Sequence, residues 1–216
     1  MLRSLSLKAG MVDQLAIIAA YRRYARHYDR LFGRVLDPGR KLVVKKMNCQ
    51  EGDKILEVGV GTGLSFFFYP PKTSVVGIDL SPHMLAQAKQ RNAFEGLCNT
   101  TLTLTDAENM SFGDNTFDKV AAMYVASVLP NPEAMVSEMK RVCKPGGQLF
   151  ILNHFSNGKR LIRAFEAGLS PLSGILGFRT VFPIDEFISK NSLEAVEMVP
   201  VNAFGYWTLI HSRNGA

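Results

Sequence analysis

Three cysteines among 216 residues, Cys49, Cys98 and Cys143, form no C-x-x-C pair, and their number is odd. Neither a zinc site nor a disulfide framework is expected, and a reducing compartment fits. No apolar run reaches the roughly 18 residues that span a bilayer. Met1 to Gly10 carries two basic residues, but Asp13 and Gln14 interrupt any apolar core behind them, so a signal peptide is not expected. Low-complexity segments and internal repeats are missing too. Acids are in the minority: 19 Asp and Glu against 25 Lys and Arg give a formal charge of +6. That excess suits nucleic acid, anionic lipid or a merely solvated surface. No compact basic-aromatic motif for nucleic acid is present, so nucleic acid is not an expected partner.

Apolar residues, at 47%, suffice for a buried core, and the length suits one domain with a small appendage. Met11 to about Phe32 reads as an amphipathic helix, with Leu15, Ile18, Tyr21, Ala25, Tyr28 and Leu31 at three- and four-residue steps. Gly33 and Asp37-Pro-Gly39 punctuate its end, and Arg40 to Met47 reads as a second helix. Strands are expected at Lys54–Val58, Ser74–Asp79, Thr100–Thr105, Phe117–Met123 and Gln148–Asn153. Helices separate several of them: Ser81 caps one running to about Ala93 with Pro82 at its first position, and another covers Pro132–Val142. Alternation of this kind argues for an α/β fold, a parallel sheet covered on both faces. After it, Phe155 to Arg179 looks like an interrupted helix, and Leu193–Pro200 and Phe204–Ser212 look like a closing antiparallel pair.

The turn after the first strand reads Glu57-Val-Gly-Val-Gly-Thr-Gly63. Glycines at such a turn let the backbone approach a ligand. The dinucleotide fingerprint G-x-G-x-x-G fits at Gly59 and Gly61 but meets Leu64 at its third position; Gly63 comes one residue early. A carboxylate at Glu57 would repel a pyrophosphate, whereas S-adenosylmethionine brings an ammonium and a sulfonium. Asp79 ends the second strand and can accept both hydroxyls of a ribose. Asp106 ends the third; its carboxylate can take an adenine amino group, with the following backbone N–H on a ring nitrogen.

Ile55-Leu-Glu-Val-Gly-Val-Gly-Thr-Gly63, Val76-Gly-Ile-Asp-Leu-Ser81, Thr105-Asp-Ala-Glu108, Thr116-Phe-Asp118 and Arg141-Val-Cys-Lys-Pro-Gly-Gly147 resemble the successive motifs of class I methyltransferases. The resemblance implies a Rossmann-like, seven-stranded, mostly parallel sheet of order 3-2-1-4-5-7-6 with an antiparallel last strand. It also implies S-adenosylmethionine as cofactor and S-adenosylhomocysteine as product. The candidate cofactor residues are Tyr28, Glu57, Gly59, Gly61, Gly63, Asp79, Leu80, Met84, Asp106, Ala107, Glu108 and Met123. No metal-ligand cluster is visible, and no metal is expected.

The methyl acceptor must be read elsewhere. Tyr21, Tyr24 and Tyr28 share one helical face, where their rings either roof the cofactor pocket or pack the helix onto the sheet. Arg22, Arg26 and Arg30 form a neighbouring stripe, joined by Arg23, Arg34 and Lys41. It suits an anionic membrane surface or water alone. Tyr124 and His154 stand at the ends of the fourth and fifth strands, where ligands bind in such sheets. Together with Tyr21 and Tyr24 they are the candidate catalytic residues.

Ala20-Tyr-x-x-Tyr-Ala-Arg-x-Tyr-Asp29, Phe32-Gly33, Val120-Ala-Ala-Met-Tyr-Val125, Asn153-His-Phe-Ser156, Ala167-Gly-Leu-Ser-Pro-Leu172 and Phe204-Gly-Tyr-Trp-Thr-Leu209 resemble the Rhodobacter-type bacterial phosphatidylethanolamine N-methyltransferases. The resemblance implies methylation of that headgroup toward phosphatidylcholine by a cytoplasmic enzyme held peripherally on the inner membrane. Residues 1–48 would then cap the active site and touch the membrane, and residues 49–216 would be the methyltransferase domain. A monomer is expected. The alternatives are a methyltransferase for a small molecule or quinone precursor, and a binding module that has lost its chemistry.

Overall fold

The computed structural model describes residues 33–155, 182–201 and 206–215. The expected helix over Met11–Phe32, with its tyrosine and arginine faces, and the interrupted helix after Phe155 lie almost wholly outside that range. Among the described residues the order is α1 (Arg34–Met47), β1 (Lys54–Val58), β2 (Ser74–Asp79), α2 (Pro82–Glu95), β3 (Thr100–Leu104), β4 (Phe117–Met123), α3 (Pro132–Val142), β5 (Cys143–His154), α4 (Ile184–Lys190), β6 (Ala195–Val201) and β7 (Trp207–Arg213). Short 3₁₀ turns cover Phe66–Phe68 and Ala126–Val128.

The strands form one sheet, β3-β2-β1-β4-β5-β7-β6. Pairs from β3 to β5 are parallel; β7 runs antiparallel to both β5 and β6. Alternation along each strand sends side chains to two cores. Leu56, Val58, Val120, Leu149 and Ile151 pack with Met135, Met139 and Val142 of α3 and with Phe187 of α4. Ile55, Ala121, Met123, Phe150 and Leu152 pack with Val43, Val44 and Met47 of α1. The sheet is therefore covered by helices on both faces. Ser81 caps α2 through the Met84 N–H at 3.3 Å, with Pro82 at the first helical position. Asn131 caps α3 in the same way through Ala134.

Several boundaries differ from expectation. Helix α1 starts at Arg34 and runs through Asp37-Pro38-Gly39 rather than starting at Arg40. Pro38 is its fifth residue, so its missing N–H removes one bond near the start of the ladder. Gly39 is there for space: a Cβ on it would lie 2.0 Å from Tyr124 Oη and 2.8 Å from Leu152 Cδ2. Strand β5 starts at Cys143 instead of Gln148. Lys144 pairs with Asp118 at 2.6 Å, and the Asn214 amide donates to the carbonyls of Lys140, Cys143 and Lys144, so Lys144–Gly147 is held in the sheet. Strands β6 and β7 are Ala195–Val201 and Trp207–Arg213, each starting later than expected. Helix α4 has no counterpart in the sequence reading.

Candidate active site

A cleft lies across the C-terminal ends of β1, β2, β3 and β4, where the crossovers leave the sheet. Counted with the open solvent at its mouth, it spans about 1050 Å³. Its floor is the glycine loop. Gly59, Gly61 and Gly63 take φ values of +68°, +57° and +78°, a region that favours glycine. They do different work. A Cβ on Gly59 would strike Val125 at 2.5 Å, one on Gly61 would meet nothing within 4 Å, and one on Gly63 would press on Ala88 of α2. Gly59 and Gly61 thus line the cleft, while Gly63 seats the loop on α2.

The acids fall at successive strand ends. Glu57, in β1, is buried and accepts from Ser65 Oγ at 2.5 Å and Tyr69 Oη at 2.8 Å. Burial pushes its carboxyl from 4.5 up to about 7, against the pull of those two donors and of Arg40. Tyr69 is itself held well above its ordinary value by burial and by Glu57. Asp79 accepts from the Gly61 N–H at 2.9 Å and the Ser81 N–H at 2.8 Å, which ties the glycine loop to β2. Burial raises its carboxyl, opposed by those backbone donors. Asp106 accepts from the Glu108 N–H at 2.9 Å, and Glu108 accepts from the Asn131 N–H at 2.8 Å. Leu80, Met84, Ala107 and Met123 complete the walls.

Tyr124 closes the far side. Its φ is +63°, costly for an aromatic residue, and its Oη donates to the Leu36 carbonyl at 2.9 Å. Arg40 lies over its ring at 5.6 Å and also lines the cleft. His154 stands elsewhere: it is buried, stacks on Tyr206 at 5.8 Å, and is not among the cleft-lining residues. Tyr21, Tyr24 and Tyr28 lie outside the described residues. Sequence reasoning missed Arg40, because it sat behind an apparent helix breaker, and Thr105, whose identity signals nothing by itself.

This lining fits S-adenosylmethionine on two counts. Four carboxylates, Glu57, Asp79, Asp106 and Glu108, suit an ammonium, ribose hydroxyls and an adenine amino group. The buried Thr105 hydroxyl on the cleft wall has no hydrogen-bond partner among the described residues, and a ligand polar group would satisfy it. Among the described residues no cluster of His, Cys, Asp or Glu could hold a metal ion, and no helix is long and apolar enough to cross a membrane.

Comparisons with known proteins agree with this geometry. A methyltransferase domain family matches residues 56–151. The phosphatidylethanolamine N-methyltransferase of Cereibacter sphaeroides is 40% identical over 196 residues, covering 90% of this chain and 96% of that protein. The demethylmenaquinone methyltransferase of Geobacillus sp. (strain WCH70) is 34% identical over 141 residues, covering 61% of this chain and 60% of its own length. Among solved structures, a SAM-dependent methyltransferase from Aquifex aeolicus shares the fold at a TM-score of 0.66, with 20% identity, 91% of this chain and 97% of that one.

Proposed function

Because the chain belongs to the class I S-adenosylmethionine-dependent methyltransferases, we propose that it N-methylates phosphatidylethanolamine and its mono- and dimethyl forms toward phosphatidylcholine. The observation that carries this reading is the 40% identity that spans 96% of the Cereibacter enzyme. That span reaches past the cofactor motifs into the segments where acceptor contacts belong. Demethylmenaquinone methyltransferases align over 58–67% of their own length.

In this reading Glu57 faces the ammonium of the cofactor, Asp79 accepts from its ribose, and Asp106 with the Ala107 N–H meets adenine. The bound cofactor supplies a methyl group activated on sulfur. The chain supplies alignment and exclusion of water, the two effects that matter most when a neutral amine attacks a preformed electrophile. Tyr124 already donates its proton to Leu36, so it positions rather than accepts. Its ring, with Trp207 edge-on at 6.3 Å, gives a methylated ammonium an aromatic wall. Residues 1–48, with Tyr21, Tyr24 and Tyr28, cap the cleft and bring the arginine stripe to an anionic membrane. The ammonium must lose a proton before each transfer; His154 stacks on Tyr206 outside the cleft lining, so water takes that proton.

Purified protein is incubated with methyl-labelled cofactor and phosphatidylethanolamine vesicles, and in parallel with demethylmenaquinone. Label in mono-, di- or trimethylated lipid is expected. Label in the quinone and none in lipid would transfer the reading to quinone methylation, which the Geobacillus similarity favours.

A further inference from the structure

Four carboxylates line the cleft, Glu57, Asp79, Asp106 and Glu108, against a single basic side chain among the described lining residues, Arg40. Any ligand atom that carries negative charge is repelled by most of this surface and has one place to go. Arg40 is built for that role. It is only 7% exposed, yet among the described residues only one of its three nitrogens is engaged. Nη1 donates to the Gly33 carbonyl at 3.2 Å and to Asp37 Oδ1 at 2.9 Å. Nε and Nη2 have no partner among the described residues. These two donors share the opposite edge of the guanidinium, the pair of parallel N–H groups that matches two oxygens of a carboxylate or phosphate. The ring of Tyr124 lies under the guanidinium at 5.6 Å, and Asp37, with its side chain one-third exposed, anchors it from the α1 side. That open edge borders the cleft, where two ligand oxygens would complete the guanidinium.

We propose that Arg40 is the oxyanion clamp of the cleft, gripping two ligand oxygens through Nε and Nη2. Two anions come to this site if the chain methylates a phospholipid, and the proposal rests on that reading for the second of them. One is the carboxylate on the amino-acid end of the cofactor. The other is the phosphodiester of the acceptor headgroup, a few bonds from its amine. Both offer the same pair of oxygens, and Arg40 holds whichever reaches it. Either contact fixes one end of a ligand whose other end reacts, which is how a remote charge aids alignment.

Arg40→Gln and Arg40→Lys are compared with the unaltered protein in two measurements. The first is calorimetric binding of S-adenosylhomocysteine and of 5′-methylthioadenosine, which lacks the amino-acid end and its carboxylate. The second is KM and kcat for phosphatidylethanolamine in neutral vesicles. If the clamp holds the cofactor carboxylate, Arg40→Gln weakens S-adenosylhomocysteine by at least about tenfold and leaves methylthioadenosine unchanged. If it holds the phosphodiester, nucleoside binding is unchanged, KM rises by about tenfold or more, and Arg40→Lys recovers part of the loss. Equal weakening of both nucleosides would make Arg40 a packing residue and overturn the proposal. So would unchanged binding together with unchanged KM. Absence of lipid turnover in the unaltered protein defeats the lipid reading and the phosphate source with it; the pair of nucleosides alone then decides for or against the clamp.

Discussion

Gly39 and Tyr124 compete for one volume: a Cβ on the glycine of α1 would sit 2.0 Å from the tyrosine hydroxyl at the end of β4. The same hydroxyl donates to the Leu36 carbonyl, one turn back on α1. The helix and the cleft wall are therefore fitted to each other through the absence of a methyl group.

Gly39→Ala tests that fit. Alanine favours a helix over glycine by about 1 kcal/mol, whereas forced overpacking costs about 1–3 kcal/mol. At 2.0 Å the clash is too close for a small shift to absorb, so the net sign is destabilising. The expected result is a lower urea midpoint and, because Tyr124 must move, a reduced kcat on the acceptor. A variant as stable as the original protein would show that the ring swings away freely.

Tyr124→Phe separates the ring from its hydroxyl. The hydrogen bond to Leu36 contributes about 1 kcal/mol, and the ring contacts to Arg40 and Trp207 remain. Stability should fall by about that amount, with kcat lowered by no more than roughly fivefold. A loss of about a hundredfold or more is the mark of a proton-transfer group and would make Tyr124 that group.

Glu57 predicts two pH dependences of opposite sense. With its carboxyl raised from 4.5 to about 7 by burial, the folded chain keeps a proton that the unfolded chain has released. Stability from this group is fully present below 4.5 and declines as pH rises toward 7. A cationic ligand, however, prefers the ionised carboxylate. Cofactor affinity should rise as pH increases toward 7, by up to about tenfold per unit, and then level off. Calorimetry between pH 5.5 and pH 7.5, with Glu57→Gln as the reference, checks this. A Gln variant with the same pH profile would remove Glu57 from cofactor recognition.

The cofactor half of the cleft was legible in the sequence because local chemistry dictates it. Short apolar strands, a glycine turn that needs positive φ, and acids on the last residues of β2 and after β3 each carry their own signal. The far wall was legible only in part: Tyr124 stood at a readable strand end, but the helix packed against it did not. Asp37-Pro38-Gly39 carries the signal of a helix end, yet Pro38 falls where only one bond is lost, and Gly39 answers a constraint from Tyr124, 85 positions along the chain. Arg40 was hidden behind that misread break. His154 illustrates the complementary gap. Its place at the end of β5 was readable, but the ring it stacks on, Tyr206, comes from the approach to β7, and pairing of β5 with β7 decides that.

Asp53 and Lys119 provide a test at the other end of the sheet, before β1 and early in β4, where the two side chains pair while 14% and 8% exposed. Breaking a buried pair from one side strands the other charge and costs about 3–5 kcal/mol. Asp53→Asn should fall toward the lower end of that range, since Asp118 also acts on Lys119. The Asp53 carboxylate also accepts from the Gln50 N–H at 2.6 Å, a bond the asparagine oxygen can keep. The lost stability should appear in urea unfolding. Binding of S-adenosylhomocysteine should be unchanged, because the cleft opens at the opposite ends of β1 and β4. If Asp53→Asn weakened cofactor binding as much as it weakened the fold, the strands would be transmitting strain along their length, and the separation between the stabilising end of this sheet and its reactive end would not hold.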